Sequence, residues 1–523
     1  MISKTEENKF QDEPLSQLRE VRVFISSSFS DMRQEREEPA KFVFPRLRSI
    51  CTKHGIVFTG VDLRWGITEE QVLDQKALEI CLEEVDSCRP FFIGILGERY
   101  GDTENGINNN LLKRHSWLAN FSECSMTELE IEYGVLSNPS LAKYSYFYFR
   151  DPAYSLSLQP LPQYNSEKSS KLKALKNRIL LSGRPVHRDY ANPKEFAKLV
   201  EKDLIGAIKS ILPNESETEI EKETLDHENL LTQYVPISTH SGYKSTVYIG
   251  RETYFNTLTS YVFDNSNMPL VVLGEAGSGK TALLSNWIYK FRQTQNLPSI
   301  IHFIGANSQS TNWEKTVVRI MNELQIKMGI TENIPGKPAE LLIAFPRWLK
   351  LASKIGRCII IIDGLNQLEA SDNSQYLPWL PNKIPSNIRM ILSTVYSKIS
   401  DETNRRGWPT FVVEPLKIKE QKKLIKDYLI NFRKELRFDQ IEKISTAEKA
   451  TNPLYLRTIL EEIRIIGEHE LLDDQIDYYI EAKSVEDLYQ KVLARWEKDY
   501  NLYEPGLVQK TTVNIWAARN GLT

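Results

Sequence analysis

The 523-residue sequence predicts an α/β protein: two consecutive parallel-sheet units followed by a helical C-terminal region. Three observations predict it. Apolar runs alternate with amphipathic helical stretches from Val21 to Arg150, and again from Tyr248 to Thr394. A G-x-x-x-x-G-K-[ST] segment lies between one such run and the helix that follows it. From Glu414 onward the pattern is helical. Strands alternating with helices at this spacing imply parallel sheets covered on both faces.

In the first unit the strand VRVFISSS gives way to a long amphipathic helix, about Asp31 to His54, which Gly55 ends. The strand IVFTGVDL, a helix over about Thr68 to Ser87 and the strand FFIGILG (91–97) follow. A helix over about Ser125 to Leu136 then leads to YSYFYFR (144–150). Residues 1–18 are expected to be a disordered tail, and 19–212 the first domain. Pro213 to Asn229 holds seven acidic residues against one lysine, read as a solvated linker or helix surface, so a linker is placed at 213–244. The second unit, 245–413, has expected strands at 269–274, 299–305, 357–363 and 388–394. Helices fill 414–480.

Composition excludes several classes. With 41% hydrophobic and 26% charged residues the chain is of ordinary globular type. A net charge of −3, without a long Lys/Arg cluster, gives no strong nucleic-acid signal. No apolar run approaches the ~20 residues that span a bilayer. The five cysteines form no CxxC pair, which suits a reducing compartment better than a disulfide framework or zinc site. The polar N-terminus is no signal or transit peptide, so a cytoplasmic protein is expected.

The segment VVLGEAGSGKTALLSNW supplies Gly274, Gly277, Gly279, Lys280 and Thr281 in a strand–loop–helix context, a P-loop. Its glycines let backbone N–H groups face phosphates, and the helix N-terminus adds positive potential. Lys280 is expected on the β/γ-phosphates and the Thr281 hydroxyl on Mg²⁺, which implies ATP or ADP with Mg as cofactors. In RCIIIIDGLNQLEA four isoleucines read as a central strand, and Asp363 emerges at its tip as the magnesium partner, directly or through water. A helix-capping aspartate is the alternative there. Ser393 and Thr394, at the tip of IRMILST, could meet the γ-phosphate or attacking water, or be a satisfied strand end. Asn366 and Gln367 cannot act as general base, but Gln367 can orient water, so tight binding with slow hydrolysis is expected.

P-loop, D-G-L strand, I-L-S-T strand and KATNPLYLRTILEEI together resemble the NACHT/STAND class of signalling NTPases. The resemblance implies that Pro453 contacts nucleotide, with a plain helix breaker as the alternative. It also places Gly250 and Arg251, in YIGRE, near the base. VRVFISSSFSDMRQERE, VDLRWGITEEQ, FFIGILGERYG and SMTELEIEYG resemble the TIR-like N-terminal domain of telomerase-associated, NACHT-and-WD-repeat, nephrocystin and tetratricopeptide-repeat relatives. The implied fold is a flavodoxin/TIR-like parallel sheet, then a P-loop NTPase domain and a helical region. Residues 481–523 resemble the truncated start of a winged-helix region, before repeats that those relatives carry.

TIR domains carry a W-C-x-x-E pattern whose glutamate can cleave NAD⁺. Glu128 is the counterpart by position, although Cys124 and Ser125 replace Trp and Cys, and Arg64, Trp65 and Arg99 could line the same crevice. The blander reading makes Glu128, Glu130 and Glu132 a solvated helix face and Trp65 a packing anchor. The expected function is a nucleotide-switched scaffold with protein partners or self-association through the TIR-like domain. The alternatives are an NAD-cleaving enzyme regulated by the NTPase and a structural scaffold with an inactive NTPase fold.

Overall fold

A computed structural model describes residues 20–28, 31–54, 56–62, 77–101, 112, 114–121, 123–157, 166–212, 219–235, 248–249, 251–307, 309–369, 376–432, 434–465, 471–501 and 504–517. The expected tail, Gly55, Arg64, Trp65, Gly250 and the last six residues lie outside them.

The first sheet contains β1 (Glu20–Ser27), β2 (Val57–Val61), β3 (Phe91–Leu96), β4 (Tyr144–Arg150) and β5 (Val186–Tyr190), in the order β2-β1-β3-β4-β5. Every pairing is parallel. This is the flavodoxin-like strand order. Alternate residues serve opposite faces: Phe91, Ile93 and Ile95 enter one core, Phe92 and Leu96 the other. The helix expected over Asp31 to His54 is a continuous run, Arg33–Glu38, a π-turn at Pro39–Val43, then Phe44–Lys53.

The solvated face expected at Glu128, Glu130 and Glu132 is overturned. They are 6%, 4% and 9% exposed, because their helix packs its acidic side onto the sheet and a neighbouring helix. Ser26 Oγ donates to Glu130 at 2.5 Å, and Arg178 to Glu132 at 2.9 Å. Burial pushes the Glu130 carboxyl up to about 7, against the pull of Ser26 and Arg36. A carboxyl raised in the fold favours the fold below its unfolded value, and that contribution is lost as pH rises through 7. The interval is worth on the order of 3 kcal/mol. Opening free energies from hydrogen exchange of β1 amides should fall by that order between pH 4.5 and 8, and Glu130→Gln should flatten the profile.

The second sheet holds β6 (Leu270–Leu273), β7 (Ser299–Phe303), β8 (Cys358–Asp363), β9 (Ile388–Thr394) and β10 (Thr410–Val412), in the order β10-β6-β9-β8-β7. All its pairings are parallel. The isoleucine run of β8 is buried on both sides, Ile360 and Ile362 in one core and Ile359 and Ile361 in the other. β9 stands between the P-loop strand β6 and the acidic strand β8, so their tips open onto one crevice.

The acidic segment is not a solvated linker over its described part. Residues Glu219–Tyr234 form a helix that buries His227 and Leu231 against the second unit. Two of its acidic residues find partners in the second unit, Glu228 pairing with Arg292 at 2.8 Å and Asp226 accepting from Asn307 Nδ2 at 3.1 Å. Asn229 Nδ2 also donates to Lys53 O of the first unit at 2.9 Å, so this helix bridges the two.

The C-terminal helices share a core from Leu416 through Tyr479 to Leu488 and Val492. The helix Val485–Tyr500 therefore packs with them, where a separate region was expected from 481. Among the described residues no helix is long and apolar enough to cross a membrane.

Candidate nucleotide site

Each functional side chain is delivered by a strand tip or a helix start. β6 ends at Leu273 and the P-loop helix Lys280–Thr294 begins six residues after Gly274. Gly277 and Gly279 take φ of +76° and +90°, left-handed values that glycine adopts without strain. Space demands glycine as well, because a Cβ on Gly277 would stand 2.7 Å from Asn452 Oδ1 and Leu454 Cβ.

Lys280 is 9% exposed and folds back along the loop, its Nζ donating to Gly274 O at 2.9 Å and Glu275 O at 2.8 Å. Burial pulls the Lys280 ammonium down, and the charges of Asp363 and Glu275 oppose it. Asp363, 5% exposed, accepts from Thr281 Oγ1 at 2.6 Å. Its other oxygen accepts from Ser393, whose hydroxyl in turn accepts the Gly364 N–H at 2.9 Å. Burial raises the Asp363 carboxyl, with Ser393, Thr281 and Lys280 pulling it down. A buried carboxylate meeting a hydroxyl is the all-oxygen donor pair that Mg²⁺ accepts beside phosphates and water, so these residues fit the ion. Ser393 holds Asp363 instead of facing the crevice, the satisfied strand end of the two readings open from sequence.

The helix Pro453–Ile463 closes over the loop. Asn452 caps it, accepting the Leu454 N–H at 2.9 Å, and its Nδ2 donates to Ala276 O at 2.9 Å. Leu454 N–H donates to Gly277 O at 3.3 Å. Pro453 Cγ comes within 3.9 Å of where a Gly279 Cβ would be. Thus Pro453 lies on the P-loop, and Asn452, missed in the sequence, makes the polar contact. An Asn-Pro pair at a helix start was the available signal.

Arg251 spends its guanidinium on Glu420, at 3.1 and 3.2 Å, and on Glu414 O at 2.5 Å. It fastens the start of the second unit to the helical region and still lines the crevice. Gln367, on a short turn after β8, is exposed and lies over Gly305.

Gly277, Gly279, Lys280, Thr281, Asp363, Gln367, Arg251 and Pro453 thus surround one cavity of about 630 Å³. Its volume suits a nucleotide-sized ligand. Its lining includes the apolar Ile249, Val413, Leu416 and Leu424. Arg48 and Thr59 of the first unit form part of the wall, an arrangement no sequence signal announced.

Glu128 is not among them. Its carboxylate is ion-paired with Arg178 and accepts from the Tyr100 hydroxyl, so it is engaged inside the first unit. Arg99 is exposed.

Residues 22–205 match the family described as Domain of unknown function (DUF4062). The chain is 30% identical over 590 residues to a TPR repeat-containing protein of Dictyostelium discoideum, covering 96% of this chain and 35% of that one. It is 24% identical to tetratricopeptide repeat protein 41 of Mus musculus, covering 93% of this chain and 43% of that one. It is 26% identical to telomerase protein component 1 of Rattus norvegicus, over 88% of this chain and 19% of that one. These are the relatives toward which the motifs pointed, and the chain spans less than half the length of each.

Proposed function

We propose that this relative of the tetratricopeptide-repeat and telomerase-component proteins is a STAND-type molecular switch or scaffold. It binds ATP or ADP with Mg²⁺ and presents its TIR-like first domain to protein partners or to further copies of itself, in the cytoplasm. The observation that carries the reading is one cavity bounded by Lys280, by the Thr281–Asp363 pair and by Pro453 of the helical region. A nucleotide there touches both the P-loop and the helical region, so it favours the closed arrangement by the difference in its affinity for closed and open forms.

Hydrolysis is slow on this reading. The carboxylates among the described lining residues are Asp363, assigned to the ion, and Glu461, which Arg464 holds at 2.6 Å. That pairing keeps the Glu461 carboxyl near 2, against its burial, which makes it a poor proton acceptor. The engaged carboxylate of Glu128 favours recognition over NAD⁺ cleavage as the first domain's role.

Calorimetric titration with MgATP and MgADP, alongside phosphate release, tests this. Saturable one-to-one binding with turnover well below one per second is expected. Turnover of several per second would contradict it, as would failure to bind either nucleotide.

A further inference from the structure

Two domains contribute arginines to one wall of the nucleotide cavity. Arg48 stands on the helix Phe44–Lys53 of the first domain, and Arg457 on the helix Pro453–Ile463. Both line the large cavity, and Arg48 also meets Arg464 across a second cavity of about 50 Å³ between the domains. Arg464 has partners in Glu461 and, at 4.4 Å, the ring of Phe432. Among the described residues, the Arg48 and Arg457 side chains have neither hydrogen bond nor ion pair.

Three guanidinium groups therefore face one carboxylate where the first domain docks. Burial pulls the Arg48 guanidinium down, and the charges of Arg464 and Arg457 pull the same way while Glu461 opposes them. Like charges held close together repel, and neither the half-buried Arg48 nor the exposed Arg457 has a protein acceptor to offset it. The docking is otherwise favourable, with Phe42 edge-on to Tyr500 at 4.9 Å and Tyr500 Oη donating to Lys41 O at 3.2 Å. An anion between the arginines would remove the mismatch.

The distance along the helix is right for a phosphate chain. Pro453 rests on the P-loop, and Arg457 is one helical turn further, about 6 Å along the axis. Arginine binds phosphate through two parallel donors, the geometry that suits a terminal phosphate.

We propose that Arg48 and Arg457 complete the site from the side opposite Lys280, binding the terminal phosphate of a nucleoside triphosphate, so that the first domain is itself part of the nucleotide pocket. This rests on the cavity being a nucleotide site. It follows that triphosphate draws the first domain onto the helical region, whereas diphosphate leaves the arginines unmatched. Free polyphosphate shares the chemistry and is distinguished by the test.

Calorimetry on the full chain would compare MgATP, MgADP and tripolyphosphate for wild type, Arg48→Ala, Arg457→Ala and Lys280→Ala. Losing one charge-assisted bond should weaken MgATP about tenfold in each arginine variant while MgADP changes little. Because Arg48→Ala relieves repulsion, its ligand-free melting temperature should not fall. Should it fall, the exposed Arg457 carries the test, since its truncation leaves the core untouched. Tripolyphosphate binding with the same arginine dependence would support the phosphate assignment and identify the chain of phosphates, without the nucleoside, as sufficient. Unchanged MgATP affinity in both arginine variants, with Lys280→Ala defective, overturns this inference alone. No nucleotide binding by wild type overturns the reading beneath it.

Discussion

Lys280→Ala should abolish the rise in melting temperature that nucleotide gives the wild-type chain. At a ligand concentration of 100 times Kd, binding to the native state alone stabilises by about 2.7 kcal/mol. For a unit of this size that is a shift of roughly 5–10 °C. The lysine is bonded to the P-loop carbonyls Gly274 O and Glu275 O, and on the proposed reading it exchanges them for phosphate. Alanine cannot neutralise the phosphates, while the strand and helix flanking the loop keep their cores. Differential scanning fluorimetry with and without MgATP reads the effect. A variant that still shows the full shift would place the ligand elsewhere.

Acid should unfold the second unit through two buried histidines. His227, on the bridging helix, and His302, in β7, have ring centroids 4.4 Å apart. His227 Nδ1 accepts the Phe303 N–H at 3.0 Å, and His302 faces Thr316 Oγ1 at 3.0 Å and Arg319 at 3.3 Å. Burial first, and the Arg319 charge second, lower both rings, His302 to about 3 and His227 further. A lowered histidine favours the fold above its unfolded value near 6.5, and that contribution drains away as pH falls toward the folded value. Each ring costs about 1.4 kcal/mol per pH unit below 6.5, so by pH 4.5 the pair costs roughly 5 kcal/mol. Urea midpoints from tryptophan emission should drop steeply over that range, and the double variant His227→Asn, His302→Asn should lose most of the slope. The sign is opposite to that expected of Glu130 in the first unit.

What was legible in the sequence was whatever depends on neighbours along the chain. β8 and β9 stood out because strands buried on both faces are mostly apolar, CIIIID and IRMILST. The P-loop stood out because its turn demands glycines at fixed spacing. Two of the four edge strands did not: β5 reads VHRDY and β10 spans three residues, and an edge strand half in solvent needs no apolar run. The buried glutamates were misread because their partners lie far off in sequence, Ser26 being 104 positions from Glu130. The acidic helix was misjudged similarly, its buried face resting on His227 and Leu231 among charges that find partners in the second unit. Of the cavity's lining, the P-loop residues, Asp363, Gln367, Arg251 and Pro453 were named from motifs. That Arg48 joins them depends on how two domains dock, which no local pattern encodes.

The proposed switch requires that the cavity above Lys280 hold a nucleotide in the working protein. Chain purified without added ligand, denatured in acid and chromatographed, measures this directly. Adenine nucleotide is expected at close to one equivalent, falling to background in Lys280→Ala. Nucleotide-free protein that also fails to take up MgATP or MgADP would contradict nucleotide binding at this cavity.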